Sequence, residues 1–245
     1  MIDLIASSFF SLPKGVEREN QDSILPVRKI GDSYIFAVAD GVGSYAGAKE
    51  ASTIAINYLN QLKENQLHDI DSIFRNIRDK IIELSNNISG FEKAATTLTF
   101  GIFNHSGLVI GHIGDCRLYV TENGKLRQKT KDHTNHQKLL DEKIYTKKEL
   151  KELPGKNVIN EAITKRFEMN YDTTFISISD LARNDDNVIS FYIMSDGAHQ
   201  HWEHRPRFSL NTISHADSFS ASLRKRIEKN PTDDYSLVSA QFKIH

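Results

Sequence analysis

The sequence predicts an α+β protein in which helices pack on antiparallel β-sheets. Three observations carry that prediction: about ten short runs rich in β-branched and aromatic residues, two long segments of helical apolar periodicity, and glycine-bearing turns tight enough to reverse a strand. The strand runs fall around 4–9, 23–30, 34–39, 96–103, 108–114, 117–121, 125–128, 173–178, 188–194 and 236–243. The turns NHSG (104–107) and ENGK (122–125) place glycine where a hairpin needs positive φ, so the neighbouring strands are expected to run antiparallel. Over 70–88, Ile70, Ile73, Phe74, Ile77, Ile81, Leu84 and Ile88 return on one helical stripe with charges opposite, and Asp69 and Ser72 are available as caps. Over 46–62, Ala51, Ala55, Tyr58, Leu59 and Leu62 form a second stripe, and each helix is expected to cover a sheet with one face. From Asp132 to Arg166 the strand pattern stops, and a polar stretch with weak helical periodicity and a Pro-Gly break reads as an inserted flap or as a long surface connection.

No repeat, low-complexity tract or linker divides the 245 residues, so a single domain spanning 1–245 is expected, with the flap at about 132–166. Lys and Arg number 31 against 32 Asp and Glu, and this balance argues against nucleic acid or an anionic membrane as partner. The one cysteine, Cys116, has no partner for an intramolecular disulfide, and the first residues lack a basic leader region or a run of spanning length. A soluble, cytoplasmic, monomeric protein is the expectation.

The chemistry is concentrated in aspartates at strand ends. IFAVADG ends on Asp40 and Gly41, VIGHIGD on Asp115, and ISFYIMSDG on Asp196 and Gly197. Asp233 and Asp234 precede the last strand, and Asp22 precedes SILPV. Strand ends are rigid enough to fix metal ligands, whereas solvated Asp-Gly turns account for one such case better than for several. Converging carboxylates repel and call for a cation. A set of carboxylate, carbonyl and water oxygens suits Mg²⁺ or Mn²⁺ before Zn²⁺, and two such ions activate a shared water against a phosphoester without a Ser or Cys nucleophile.

The segments ENQD (19–22), ADGVGSYAGAKEAS (39–52), ATTLTFGIF (95–103), GDCRLYV (114–120), KDHT (131–134), KNVINEAI (156–163), MSDG (194–197) and DDYSLV (233–238) resemble, in order, the motif series of the metal-dependent serine/threonine protein phosphatases, the PPM or type 2C family. The resemblance implies a four-layered α-β-β-α sandwich with a binuclear Mg²⁺ or Mn²⁺ centre at one edge. It implies that Asp40 bridges both ions, that the Gly41 carbonyl binds one, and that Asp196 and Asp233 complete the other. Asp22 would hold a metal-bound water, and Asp115 would help Asp196 hold a weaker third ion. The implied activity is hydrolysis of phosphoserine and phosphothreonine in protein substrates by a metal-bridging hydroxide. A small-molecule phosphatase, a nuclease and a regulatory pseudophosphatase or phospho-sensor are the rival readings, the nuclease disfavoured by the near-neutral charge.

Departures from the family pattern bear on the mechanism. Val42 stands where many eukaryotic members carry a histidine suggested as general acid, a feature shared with bacterial members, so a prokaryotic or phage origin is expected. Arg18 is the candidate to grip the phosphate in bidentate fashion, but it stands one residue nearer Asp22 than usual, and a surface arginine is the alternative. Gln21 replaces a common acidic residue. The histidines of HQHWEH (199–204), with His133 and His136, read as solvated loop residues rather than a zinc site. Trp202 reads as a buried anchor before a substrate platform, Cys116 as a small buried hydrophobe, and Arg224, Lys225 and Arg226 as the solvent face of a short C-terminal helix.

Overall fold

The computed structural model describes residues 1–43, 45–150, 153–155, 158–184 and 186–245. Ser44 and the Lys156–Asn157 start of KNVINEAI lie outside the described residues, as do 151 and 152 of the expected flap. Among the described residues, twelve strands are formed: β1 (Ile2–Leu12), β2 (Asp22–Ile30), β3 (Ser33–Asp40), β4 (Ala95–Thr96), β5 (Leu98–Asn104), β6 (Gly107–Ile113), β7 (Arg117–Glu122), β8 (Lys125–Gln128), β9 (Ile163–Thr164), β10 (Asp172–Ser177), β11 (Val188–Met194) and β12 (Tyr235–Ile244). The helices are α1 (Ala48–Gln61), α2 (Ile70–Asn87), α3 (Asn135–Asp141), α4 (Lys147–Leu150), α5 (Asp196–His204), α6 (Leu210–Ile213) and α7 (Ala216–Ile227).

The strands build two five-stranded sheets, ordered β1-β12-β11-β7-β8 and β10-β6-β5-β3-β2, with a small β4-β9 ladder. Strand alternation explains how the sheets stack. Along β3, Tyr34, Phe36 and Val38 point into an inter-sheet core with Phe191, Ile193, Val238 and Phe242 of the other sheet. Ile35, Ala37 and Ala39 point the opposite way and pack under α1 and α2, against Ala51, Ala55, Leu59, Phe74 and Ile77. The outer face of the β11-β12 sheet presents Tyr192, Met194 and Leu237 to Trp202, Phe219 and Leu223 of α5 and α7. These three cores separate four layers in the order α-β-β-α, the arrangement that the resemblance implied.

The caps and hairpins follow local chemistry. Asp69 accepts the Ser72 N–H at 2.9 Å to start α2. Asn123 and Gly124 both take positive φ between the paired β7 and β8. Two expectations need correction. The run at 96–103 divides, because the Thr97 N–H turns away to the Asp40 carbonyl at 2.8 Å, leaving β4 to pair with β9. Asp196 and Gly197 form no turn: they open α5, so the histidines of 199–204 are helical rather than loop residues. Among the described residues, no helix is long and apolar enough to cross a membrane.

The inter-sheet core is held by a cluster of rings. Fully buried Phe103 meets Phe242 at 4.8 Å and Phe191 at 4.9 Å between centroids. Phe103→Ala is therefore expected to destabilise the protein by about 3–5 kcal/mol through lost burial and a residual cavity. The check is a lower urea midpoint at unchanged slope.

Candidate metal centre

The hydrogen-bonding register brings the aspartates to one edge of the sandwich. Asp22 and Asp40 are cross-strand partners at the start of β2 and the end of β3. Thr99 of β5 pairs with Val38, and Ile113 of β6 pairs with Leu98, so β6 leads into Asp115 at that same edge. In the facing sheet Met194 pairs with Leu237 and Arg117, placing Asp196 and the Asp233–Asp234 pair at the matching strand ends. One hydroxyl joins the sheets: Ser195 Oγ donates to Asp22 Oδ2 at 2.8 Å and accepts the Ser236 N–H at 2.9 Å.

Hydrogen bonds fix the backbone beneath Asp40 and Asp22. The Asp40 N–H donates to Thr97 Oγ1 at 3.2 Å, and its carbonyl accepts from Thr96 Oγ1 at 2.9 Å and from the Thr97 N–H. Lys49 of α1 donates to the Asp22 carbonyl at 2.8 Å, and Asn20 Oδ1 accepts the Asp22 N–H. Gly41 lies so close to α1 that a Cβ would stand 2.5 Å from the Ala48 carbonyl oxygen. Gly197 is tighter still, since its Cβ would meet the Asp234 carbonyl oxygen at 2.1 Å. These glycines thus serve backbone packing as well as any approach of a carbonyl to an ion.

Burial and mutual charge dominate the electrostatics. Burial pushes Asp22 up to about 6 even though Ser236 and Ser195 stabilise its charged form. Burial and the neighbouring Asp132 charge raise Asp115 to about 7. Asp40 and Asp196 are held well above the usual carboxylate range, first by desolvation and then by the surrounding aspartates, including Asp233. Asp40 is partly open to solvent at its rim, so for it the four neighbouring charges are the firmer cause. Asp22 Oδ1 and Asp115 Oδ1 are buried without a hydrogen-bond partner among the described residues. Orphaned carboxylate oxygens among like charges fit a hard cation. Among the described residues, no three acidic, His or Cys side chains form a closed ligand cage. Mg²⁺ does not require one, since it keeps several waters and takes only one or two carboxylates.

The remaining expected site residues separate into two groups. Arg18 reaches the centre: its guanidinium lies 3.5 Å from Asp233 Oδ1 and 3.7 Å from Asp234 Oδ1, with 39% of its side chain exposed. Asp234 faces inward, accepting the Lys14 and Gln21 N–H groups at 2.8 Å, and so anchors the segment that carries Arg18. Gln21 contributes backbone here, and its carbonyl accepts from Ser52 and from the Gly41 N–H. His133 and His136 diverge, one to Asp172 and the other to the Pro154 carbonyl. Cys116 is fully buried, and burial drives its thiol well up, so it packs and does not attack. Trp202 is buried, as expected of an anchor.

Sequence reasoning missed Ser195, Lys49, Thr97 and the helix that follows Asp196. His199 Nε2 lies 3.1 Å from the Asp115 carbonyl, and Gln200 donates to Asp196 Oδ2 at 3.2 Å. Their positions three and four residues after Asp196 are the signal that could have found them. A partly buried ion network flanks the centre: Arg117 grips Asp132 at 2.8 and 2.5 Å and the exposed Glu203 of α5 at 2.6 Å.

Fold and site together define a helix-flanked β-sandwich with an acidic, cation-seeking centre at one edge. The chain belongs to the Protein phosphatase 2C family, whose profile matches residues 15–237. The serine/threonine protein phosphatase PstP of Mycobacterium tuberculosis is 32% identical over 157 residues, which cover 61% of this chain but only 29% of that protein. The crystal structure of the Mycobacterium tuberculosis serine/threonine phosphatase PstP/Ppp superposes with a TM-score of 0.78 at 25% identity, covering 98% of this chain and 99% of that one. The PstP catalytic domain in complex with two manganese ions has the same fold, with a TM-score of 0.75 at 24% identity and full coverage of both chains.

The raised carboxyls fix the sign of the pH dependence. They hold protons more tightly folded than unfolded, so their contribution to stability is complete below the ordinary value of 3.8 and is lost as pH rises to 6 and 7. Buried His112, lowered to about 3, acts in the opposite direction between 3 and 6.5. Four raised carboxyls outweigh one lowered histidine. In chelator, the melting temperature is expected to fall between pH 5 and 7.5, and the gain on adding Mn²⁺ is expected to grow over the same interval; thermal melts across that range check both.

Proposed function

We propose that this chain is a metal-dependent serine/threonine phosphoprotein phosphatase of one domain, with residues 132–166 as its flap. The observation that carries this reading is the convergence of aspartates from separate elements of both sheets on one edge, where Asp22, Asp115 and Asp233 raise the proton affinity of Asp40 and Asp196. Asp40 and the Gly41 carbonyl would hold two Mg²⁺ or Mn²⁺ ions together with Asp196 and Asp233. Asp22 would orient a water, and Asp115 with Asp196 would take a weaker third ion. When bound, such ions acidify a shared water and neutralise charge on the phosphoryl oxygens.

The chain's own groups supply position and charge. Ser195 locks one Asp22 oxygen, while the other is buried without a hydrogen-bond partner among the described residues. Thr96 and Thr97 clamp the Asp40 backbone, so its carboxylate does not swing away on binding. Arg18 makes long contacts to half-exposed Asp233 and buried Asp234, and its own half-exposed planar fork can turn to a phosphate in bidentate fashion. Apolar Val42 follows Gly41, so the leaving oxygen takes its proton from water or from another group. The balanced charge and single cysteine support a cytoplasmic setting.

Turnover of p-nitrophenyl phosphate and of a phosphothreonine peptide with Mn²⁺ tests this reading. Chelator should abolish both activities, and Asp40→Asn should lower kcat by roughly a thousandfold, about 4 kcal/mol of transition-state stabilisation. Arg18→Gln should raise KM roughly tenfold with a smaller change in kcat. Undiminished turnover in chelator or in Asp40→Asn would sink the metal mechanism, and metal binding without turnover of any phosphoester would favour a sensor.

A further inference from the structure

A second cavity, of about 500 Å³, opens where the end of α5 meets the last turns of α7. His201, His204, Arg205, Lys225, Arg226 and Lys229 line it over a floor that includes Phe208. Among the described residues, no carboxylate lines it. The two nearest in sequence are committed elsewhere: Glu203 to Arg117 and the Tyr119 hydroxyl, and Glu228 to Arg224 at 2.8 Å. Of the expected basic solvent face, only Arg224 and Lys225 point outward; Arg226 turns in.

Arg226 forms a fixed back wall. Its Nη1 donates to the Arg205 carbonyl at 2.6 Å, its Nη2 donates to the Arg207 carbonyl at 3.0 Å, and its guanidinium lies 4.1 Å above the Phe208 ring. Arg205, Lys225 and Lys229 are exposed around it and make no ion pair among the described residues. Partial burial and the Arg226 and His204 charges lower His201, and partial burial and Arg205 lower Arg226, so added positive charge is disfavoured in the pocket and Arg205 and Arg226 repel. An anion would relieve that repulsion.

The cavity lies at the far end of the helix that begins at the metal centre. α5 starts at Asp196, and His204 lies eight residues on, about 12 Å along the axis at 1.5 Å per residue. His201 and His204 also line a cleft of about 840 Å³ that reaches Asp115. An extended peptide covers about 12 Å in roughly four residues. We propose that this basic pocket binds a second anionic group of the phosphoprotein substrate, about four residues from the phosphorylated residue that enters the metal centre, so that multiply phosphorylated segments are preferred. This inference rests on the phosphatase reading for its substrate, but the pocket itself does not.

The test uses the Mn²⁺-loaded protein and phosphothreonine peptides carrying phosphoserine, glutamate or serine four residues to either side. On one side, phosphoserine should raise kcat/KM about tenfold over serine, mainly through KM, with the advantage shrinking as salt is added. Glutamate falling below phosphoserine identifies the phosphate as the ligand; equal glutamate and phosphoserine arms identify a carboxylate-rich segment in the same pocket. The double variant Lys225→Gln/Lys229→Gln should reduce the advantage to less than about twofold while leaving p-nitrophenyl phosphate turnover unchanged. No advantage on either side, or an advantage that survives in the double variant, overturns the proposal. Fluorescence anisotropy of the labelled doubly phosphorylated peptide in chelator reads the pocket without catalysis. Weaker binding by the double variant supports it even if no peptide is ever turned over, and equal binding overturns it.

Discussion

Several carboxylates held close together at a poorly hydrated edge repel one another, and much of the surrounding structure can be understood as resisting that repulsion. The resistance is mechanical. Antiparallel pairing locks Asp22 opposite Asp40, and Ser195 ties Asp22 to the facing sheet. Gly41 and Gly197 let α1 and the Asp234 backbone close in where a side chain would force them apart. Behind these contacts stand three apolar cores, and their rigidity keeps the charges from relaxing outward.

The fold was largely legible because its strands alternate cleanly and two helices carry unbroken apolar stripes. Phe36 and Ile35 belong to different cores, as a period of two requires. Legibility failed where the period is too short to register. β9 has two residues, and α5 has nine, four of them histidine or tryptophan, so its pattern resembled a polar loop. Among the site residues, Asp40, Asp115 and Asp196 stood out because apolar runs lead directly into them. Ser195, Lys49 and Thr97 did not, because they act through long-range hydrogen bonds that leave no local spacing to read.

α5 links the two sites on this face of the molecule. Its first residue belongs to the acidic centre, and its second half packs Trp202 into the outer core while contributing His201 and His204 to the basic pocket. The helix dipole suits this polarity, with a carboxylate at the positive end and imidazoles at the negative end. A buried anchor at Trp202 keeps the two ends at a fixed separation, as a ruler rather than a tether.

The Arg117 network bears on the expected flap. Asp132 is the root of the expected flap, and Glu203 belongs to the helix that begins with Asp196, so one guanidinium staples the flap's base to the frame of the acidic centre. Everything beyond that staple is bounded on the far side by the backbone pairing of Thr134 with Ile159. The two ends of the stretch are thus held side by side against the frame that carries the acidic centre.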